Sequence, residues 1–428
     1  MLEDGAFMTQ ILIHGRLYCH KTGSFSPGEM LIRDGHIVAI GEPGAWSSSP
    51  ATGRDEAWEI LDARDAAVAP GLVDIHTHGR AGGDFVNAPL PLLKQMAASY
   101  LTTGVTTVIP TLASAPLPEY ARASARLAEV AASVPLTADS TDGSVTPPPM
   151  ARLLGFHLEG RYLHPEKRGA HALSLLAPPD AAELAGLLQE MQSPYRERQL
   201  SCPVRVSAAL ELDPDGTFAN TAREAGAQLS LAHTTADYGT ARRLIRRGIT
   251  SLTHTYNAMP PLHHRAGGPV VAFFEEPDTF LELICDGFHV APEMVRLACT
   301  MVGTERLVLI SDSMEGTGCP DGDYHIAGMH VTLRNGQALT DDGHIAGSTL
   351  DLWQAVRNLM HFCRIPLADA LRCATYNPAH LCGIEDTVGT LTPGCCADFL
   401  LIDDRTPADP VLRGIYLGGK PVREDPAP

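Results

Sequence analysis

The stretch Ala69-Pro70-Gly71-Leu72-Val73-Asp74-Ile75-His76-Thr77-His78-Gly79 is mostly apolar and ends in two histidines one residue apart. In a β-strand, residues i and i+2 share a face, so this spacing directs both imidazoles to one point. An isolated pair of this kind is most often structural. Four later apolar runs change its weight. Leu153-Leu154-Gly155-Phe156-His157-Leu158 closes on Glu159, Leu229-Ser230-Leu231-Ala232 on His233, Ile249-Thr250-Ser251-Leu252-Thr253 on His254, and Leu307-Val308-Leu309-Ile310-Ser311 on Asp312. Imidazoles and carboxylates at the C-terminal ends of successive strands are what a (β/α)8 barrel uses to build a site on its top face. His157 shares a strand face with Glu159 by the same rule and competes for a ligand role; the reading favours a packed, hydrogen-bonded interior histidine.

Working outward, eight strand candidates fall at 72–78, 105–110, 152–158, 204–210, 228–233, 250–254, 280–285 and 307–311. Segments of helical spacing lie between most of them, such as Leu92-Leu93-Met96-Ala97-Tyr100-Leu101 and Tyr238-Ala241-Leu244-Ile245. Strand and helix in alternation predict a parallel α/β barrel over residues 71–384. The two ends read differently: residues 9–70 and 385–423 carry short alternating runs broken by Gly and Pro, which predicts one small β-sandwich domain assembled from both ends. Ser133 to Met150, ending Pro147-Pro148-Pro149, reads as a surface insertion, and residues 316–347 as a β-hairpin excursion after the eighth strand.

A chain of 428 residues with 44% hydrophobic and 19% charged residues can bury a large core plus a smaller one. The net charge of −18 argues against nucleic acid as a partner, since phosphates would be repelled and no Lys/Arg block offsets that balance. An anionic small molecule is compatible with it, because one arginine and a few backbone N–H groups suffice to hold a phosphate. No run approaches a membrane span, and the acidic N-terminus from Met1 to Met8 is neither a secretory signal nor an anchor. Ten cysteines without a C-x-x-C pair or regular framework fit a reducing cytoplasm.

The ordered set His-x-His, Glu, His, His, Asp resembles the amidohydrolase superfamily. Surrounding phrases narrow the resemblance: His157-Leu158-Glu159-Gly160, Arg168-Gly169-Ala170-His171, Thr255-Tyr256-Asn257-Ala258-Met259-Pro260, Asp286-Gly287-Phe288-His289, Ser311-Asp312-Ser313-Met314, Ile345-Ala346-Gly347-Ser348 and Ala374-Thr375-Tyr376-Asn377-Pro378-Ala379 together resemble the N-acetylglucosamine-6-phosphate deacetylase family. The resemblance implies that Glu159, His233 and His254 hold the principal divalent metal, and that His76 and His78 can hold a second ion with Glu159 bridging. One or two ions per subunit are expected, zinc first, with iron, cobalt, manganese or nickel as the others. Three protein ligands leave a position open for water, whose pKa the metal lowers toward neutrality. Asp312 is the implied proton shuttle, and His171 the donor to the acetyl carbonyl. Asn257, Ala258, His289 and Arg265 are implied phosphate-binding residues, with the arginine reaching in from the neighbouring subunit of a homodimer. Ala170, Asp286, Gly287, Ile345, Ala346 and Gly347 belong to the implied sugar-binding loops. The expected substrate is a small amino-sugar phosphate.

Two phrases depart from the family pattern. Pro-Phe commonly follows His-Leu-Glu-Gly, whereas this chain has Arg161-Tyr162, expected to place an extra cation near the metal end of the site. Gly-His-Ser-x-Ala is replaced by Ala232-His233-Thr234-Thr235-Ala236. Both departures leave open a galactosamine analogue or another N-acetylated amino-sugar phosphate. Cyclic-amide hydrolases of the dihydroorotase or hydantoinase type use a bridging carboxylated lysine, where this chain offers Glu159. A metal-free scaffold is disfavoured, because a buried cluster of imidazoles and carboxylates is costly without a cation.

Overall fold

The computed structural model describes residues 10–46, 59–134 and 149–424. Both chain ends contribute to one seven-stranded sheet, so the strands expected to form a small sandwich hydrogen-bond continuously. Its hub is Glu59–Pro70, which pairs parallel with Gln10–Cys19 and antiparallel with Phe399–Asp403. From there the chain passes through Gly71 straight into the barrel. A side chain at Gly71 would put its Cβ 2.0 Å from Thr106 Oγ1, so the close approach of the neighbouring strand requires glycine.

All eight expected strands form, as Leu72–Asp74, Val105–Val108, Arg152–Leu153 with Phe156–Glu159, Val204–Ala208, Ala227–Leu231, Ser251–Leu252, Phe280–Ile284 and Leu307–Ile310. Pairing is parallel throughout, and the last two strands are almost wholly buried, which explains their unbroken apolar runs. The barrel closes at its C-terminal rim: Asp312 N–H donates to His76 O over 2.9 Å, and His78 N–H to Ser313 O over 2.8 Å. The anticipated helices are Leu90–Leu101 and Tyr238–Arg246.

The excursion after the eighth strand is larger than a hairpin. Gly322–Ile326, Met329–Arg334, Gln337–Thr340 and Ile345–Ser348 form a four-stranded antiparallel sheet. Two of its turns, Ala327-Gly328 (φ 48° and 80°) and Asn335-Gly336 (φ 50° and 78°), carry positive φ at both central residues, the geometry that suits tight hairpins. Ser348 N–H donates to Asp312 O over 2.7 Å, which ties this sheet to the rim and brings Ile345, Ala346 and Gly347 over the barrel mouth. The N-terminal residues 1–9 and most of the Ser133–Met150 insertion lie outside the described residues. Among the described residues no helix is long and apolar enough to cross a membrane.

Candidate metal-dependent active site

The site residues stand at strand ends or just beyond them. The first strand ends at Asp74, so His76 and His78 do not converge through strand alternation as expected. They meet instead in the irregular segment that follows, with ring centroids 5.3 Å apart. His233, His254 and Asp312 take left-handed backbone, with φ of 43°, 29° and 48°. That conformation costs a non-glycine residue about 1–2 kcal/mol, and such strain gathers at functional sites. Leaving the extended conformation there ends the ladder and turns each side chain over the barrel mouth.

Glu159, the last residue of its strand, is the centre of the cluster. Its Oε1 lies 3.0 Å from His254 Nε2 and 3.3 Å from His233 Nε2; its Oε2 lies 3.2 Å from His76 Nε2 and 3.0 Å from His78 Nε2. Asp312 Oδ1 stands 3.5 Å from His76 Nε2 and 3.3 Å from His78 Nε2. The ligand atoms of Glu159, His233 and His254 all fall within 4.8 Å of one another, as do those of His76, His78 and Glu159.

This donor set fits a divalent cation. His233 Nδ1 is 2.6 Å from the Lys167 carbonyl, which can only accept, so the proton sits on Nδ1 and Nε2 offers a lone pair. That lone pair lies 3.0 Å from His254 Nε2, an arrangement that a shared cation relieves. Burial opposes charge on His76 and His78, yet Glu159 and Asp312 drive both pKa values up, His78 to about 9. The field that would protonate these rings is the field that attracts a metal in their place.

Behind the cluster, Glu282 Oε2 is 3.9 Å from His76 Nδ1, and its other oxygen is paired with Arg205, both side chains fully buried. Burial would raise the Glu282 carboxyl, but the Arg205 charge holds it well below the usual range, so it faces His76 ionised. His157 is held by Thr111 Oγ1 at 3.1 Å through Nδ1 and by Ser207 Oγ at 2.7 Å through Nε2, as an interior hydrogen-bonded histidine.

His171 lies beside the cluster, with Nε2 3.9 Å from Glu159 Oε2. The Ser114 backbone N–H donates to His171 Nδ1 over 3.4 Å, which makes Nδ1 an acceptor and leaves the proton on Nε2, facing the cavity. Burial, reinforced by His233, lowers its pKa to about 3, so the ring is neutral.

A cavity of about 650 Å³ opens above these groups. Ala170, Asn257, Ala258, His289, Ile345, Ala346 and Gly347 line it together with His78, Glu159, His171, His233, His254 and Asp312. Asn257 Nδ2 is buried and has no hydrogen-bond partner among the described residues. Asp286 does not line the cavity; it accepts the Phe288 and His289 backbone N–H groups, each at 2.8 Å, and contacts His289 Nδ1 at 2.6 Å, so it orients that ring. Gly287 and Arg265 do not line it either, and Arg265 stands on an exposed loop of its own chain. Lys167 and Phe288 line the cavity and were not anticipated, although Phe288 sits inside a quoted phrase and Lys167 immediately precedes one.

The two sequence departures resolve into positioning contacts. Arg161 is not an extra cation at the metal end: its Nε and Nη2 donate to the two Glu183 oxygens at 2.7 and 2.9 Å, turning the guanidinium outward to the helix Ala181–Glu197. Thr234 Oγ1 and Thr235 N–H donate to the Glu211 carboxylate at 2.7 and 2.6 Å, which pins the turn that carries His233.

A parallel barrel whose rim gathers four imidazoles around a carboxylate defines a metal-dependent hydrolase. Comparison with known proteins is specific. The amidohydrolase family profile matches residues 217–422. N-acetylgalactosamine-6-phosphate deacetylase of Escherichia coli O157:H7 is 32% identical over 396 residues, 92% of this chain and 96% of that protein. N-acetylglucosamine-6-phosphate deacetylase of Vibrio furnissii is 31% identical, over 90% of this chain and 91% of that one. The Mycobacterium smegmatis N-acetyl-D-glucosamine-6-phosphate deacetylase, solved as a mutant with N-acetyl-D-glucosamine-6-phosphate, superposes with a TM-score of 0.79 at 29% identity, covering 98% and 100% of the two chains. The chain belongs to the amidohydrolase family, as a metal-dependent amide hydrolase whose relatives are the N-acetylhexosamine-6-phosphate deacetylases.

Proposed function

We propose that this protein hydrolyses the acetamide of N-acetylglucosamine 6-phosphate, releasing acetate and glucosamine 6-phosphate, with N-acetylgalactosamine 6-phosphate as the second reading. The observation that carries it is the convergence of Asp312, the Glu159 cluster and the His171 Nε2–H on one point at the floor of a cavity. The second reading draws on the Escherichia coli relative, which acts on the galactosamine compound at 32% identity.

Glu159, His233 and His254 would hold a divalent ion, zinc first, and His76 with His78 a second. When bound, the ion acidifies water and polarises the amide carbonyl. His171 Nε2–H donates to the carbonyl oxygen as negative charge develops on it. Asp312, ionised and acceptor-only, takes the proton of the attacking water and returns it to the departing amine, a poor leaving group until protonated. Asn257 Nδ2, His289 and the chain at Ala258 bind the phosphate. Burial opposes charge on His289, but Asp286 raises its pKa, so the ring is biased toward the cation a phosphate prefers. Acetate release from a panel of N-acetyl amino sugars, with and without their 6-phosphate and with and without chelator, tests the reading. Turnover of a phosphorylated hexosamine that chelation abolishes is expected; chelator-resistant turnover would overturn it.

Arg265 completes the phosphate site of the partner in a homodimer, because it is exposed and outside its own chain's cavity, and its paired donors match phosphate oxygens. Arg265→Ala is expected to weaken phosphorylated substrates far more than unphosphorylated ones. Mixing Arg265→Ala with Asp312→Asn subunits should restore activity, since one of the two sites then carries neither defect. No rescue between subunits shown to exchange, or a fully active monomer, would refute the assignment.

A further inference from the structure

Two cavities meet at the Glu159 cluster. The second, of about 310 Å³, shares His78 and Ile326 with the larger one. Its inner end is formed by His78, Ser114 and Met314, all buried, and its walls by the apolar Leu175, Ile326 and Ala327. Its outer end, more exposed, carries the carboxylates Asp84, Glu119 and Glu315.

The acyl carbon of an amide is trigonal, so its nitrogen and its acyl chain diverge. His78 and Ile326 line both cavities and Met314 lines the second, so an amide held with its carbonyl oxygen at His171 Nε2 and its sugar phosphate toward Asn257 and His289 would have the second cavity beside its acyl group. A methyl group is about the size of a water molecule, roughly 30 Å³, and fills only a small part of it. The apolar walls favour added methylenes, while the carboxylates of Asp84 and Glu315 repel an anionic tail; the third, Glu119, is paired with Arg122.

We infer that the chain also removes longer neutral N-acyl groups, propionyl and butyryl, from the same amino-sugar phosphate, with the acyl tail lodged between Leu175, Met314 and Ala327. The inference rests on the deacetylase reading above. The chemistry balances as for acetyl: water adds to the acyl carbon, the C–N bond breaks, and the products are a short-chain carboxylate and an ammonium sugar.

The test compares kcat/KM of the wild-type protein, metal-loaded, for the N-acetyl, N-propionyl, N-butyryl and N-succinyl derivatives of glucosamine 6-phosphate. A closed acetyl pocket would reject one extra methylene by about 10–200-fold. The cavity instead predicts that propionyl and butyryl stay within about tenfold of acetyl, while succinyl falls well below both. Leu175→Trp, which fills the cavity, should lower the butyryl-to-acetyl ratio by about tenfold or more, and Leu175→Phe should lower it less. The ratio is internal to each preparation, so a poorly folded variant does not imitate the effect. Hydrolysis of the acetyl derivative alone, succinyl turnover equal to butyryl, or an unchanged ratio in both variants overturns the inference and leaves the deacetylase reading standing. No hydrolysis of any derivative overturns both.

Discussion

Asp312→Asn is expected to lower kcat by about 10²–10⁴-fold, the range of a positioned general acid–base group, while substrate affinity stays near wild type. The substitution isolates proton transfer. Asparagine tolerates left-handed backbone, so the φ of 48° at this position is kept without added strain. The backbone links through Asp312 N and O to His76 and Ser348 are also unaffected. What changes is the carboxylate. Burial opposes its ionisation, but the charge of His76 and the hydrogen bond from His78 outweigh burial and hold its pKa at about 2. Asp312 is therefore an anion throughout the neutral range, and the amide that replaces it cannot accept a proton. Pre-steady-state and steady-state rates on the phosphorylated substrate, with binding of a non-hydrolysable analogue, separate the two effects. A variant that keeps more than about a tenth of the wild-type rate would exclude Asp312 as the shuttle.

The barrel was legible because its strands are buried on both faces and write themselves as apolar runs, each punctuated by the polar residue that leaves the core. Glu159, His233, His254 and Asp312 were found by that punctuation. The irregular geometry between and after them was not. The i, i+2 rule brought His76 and His78 together for the wrong reason, since the strand stops at Asp74 and the convergence comes from the hydrogen bonds that close the barrel rim. Contacts between residues distant in sequence left no local signal. Ser114 fixes the His171 tautomer from 57 residues away, and Glu282 with Arg205 stands behind His76. Arg161 was read from its neighbours in sequence as a cation at the metal end, whereas the bidentate carboxylate of Glu183 turns it away.

Glu159→Gln carries the other large effect. Glu159 touches His76, His78, His233 and His254, each within 3.3 Å, so one isosteric change removes the anion common to both groups of ligands. Loss of an outer partner of a metal ligand typically costs 10–100-fold in affinity; loss of the central ligand itself should weaken binding by at least about 10²-fold. Two readouts independent of turnover follow. The dialysed variant should hold little metal by elemental analysis, while the wild type holds one or two ions per chain. The imidazoles should also change: with Glu159 neutral, the hold on protonated His76 and His78 falls, and their pKa values in the metal-free protein drop from the raised range toward that of ordinary buried histidines, which NMR titration resolves. Glutamine can still hydrogen-bond the rings, so the fold should survive, and near-wild-type circular dichroism accompanies the expected result. Stoichiometric metal retained after dialysis, at wild-type affinity, would remove Glu159 from the centre of the site.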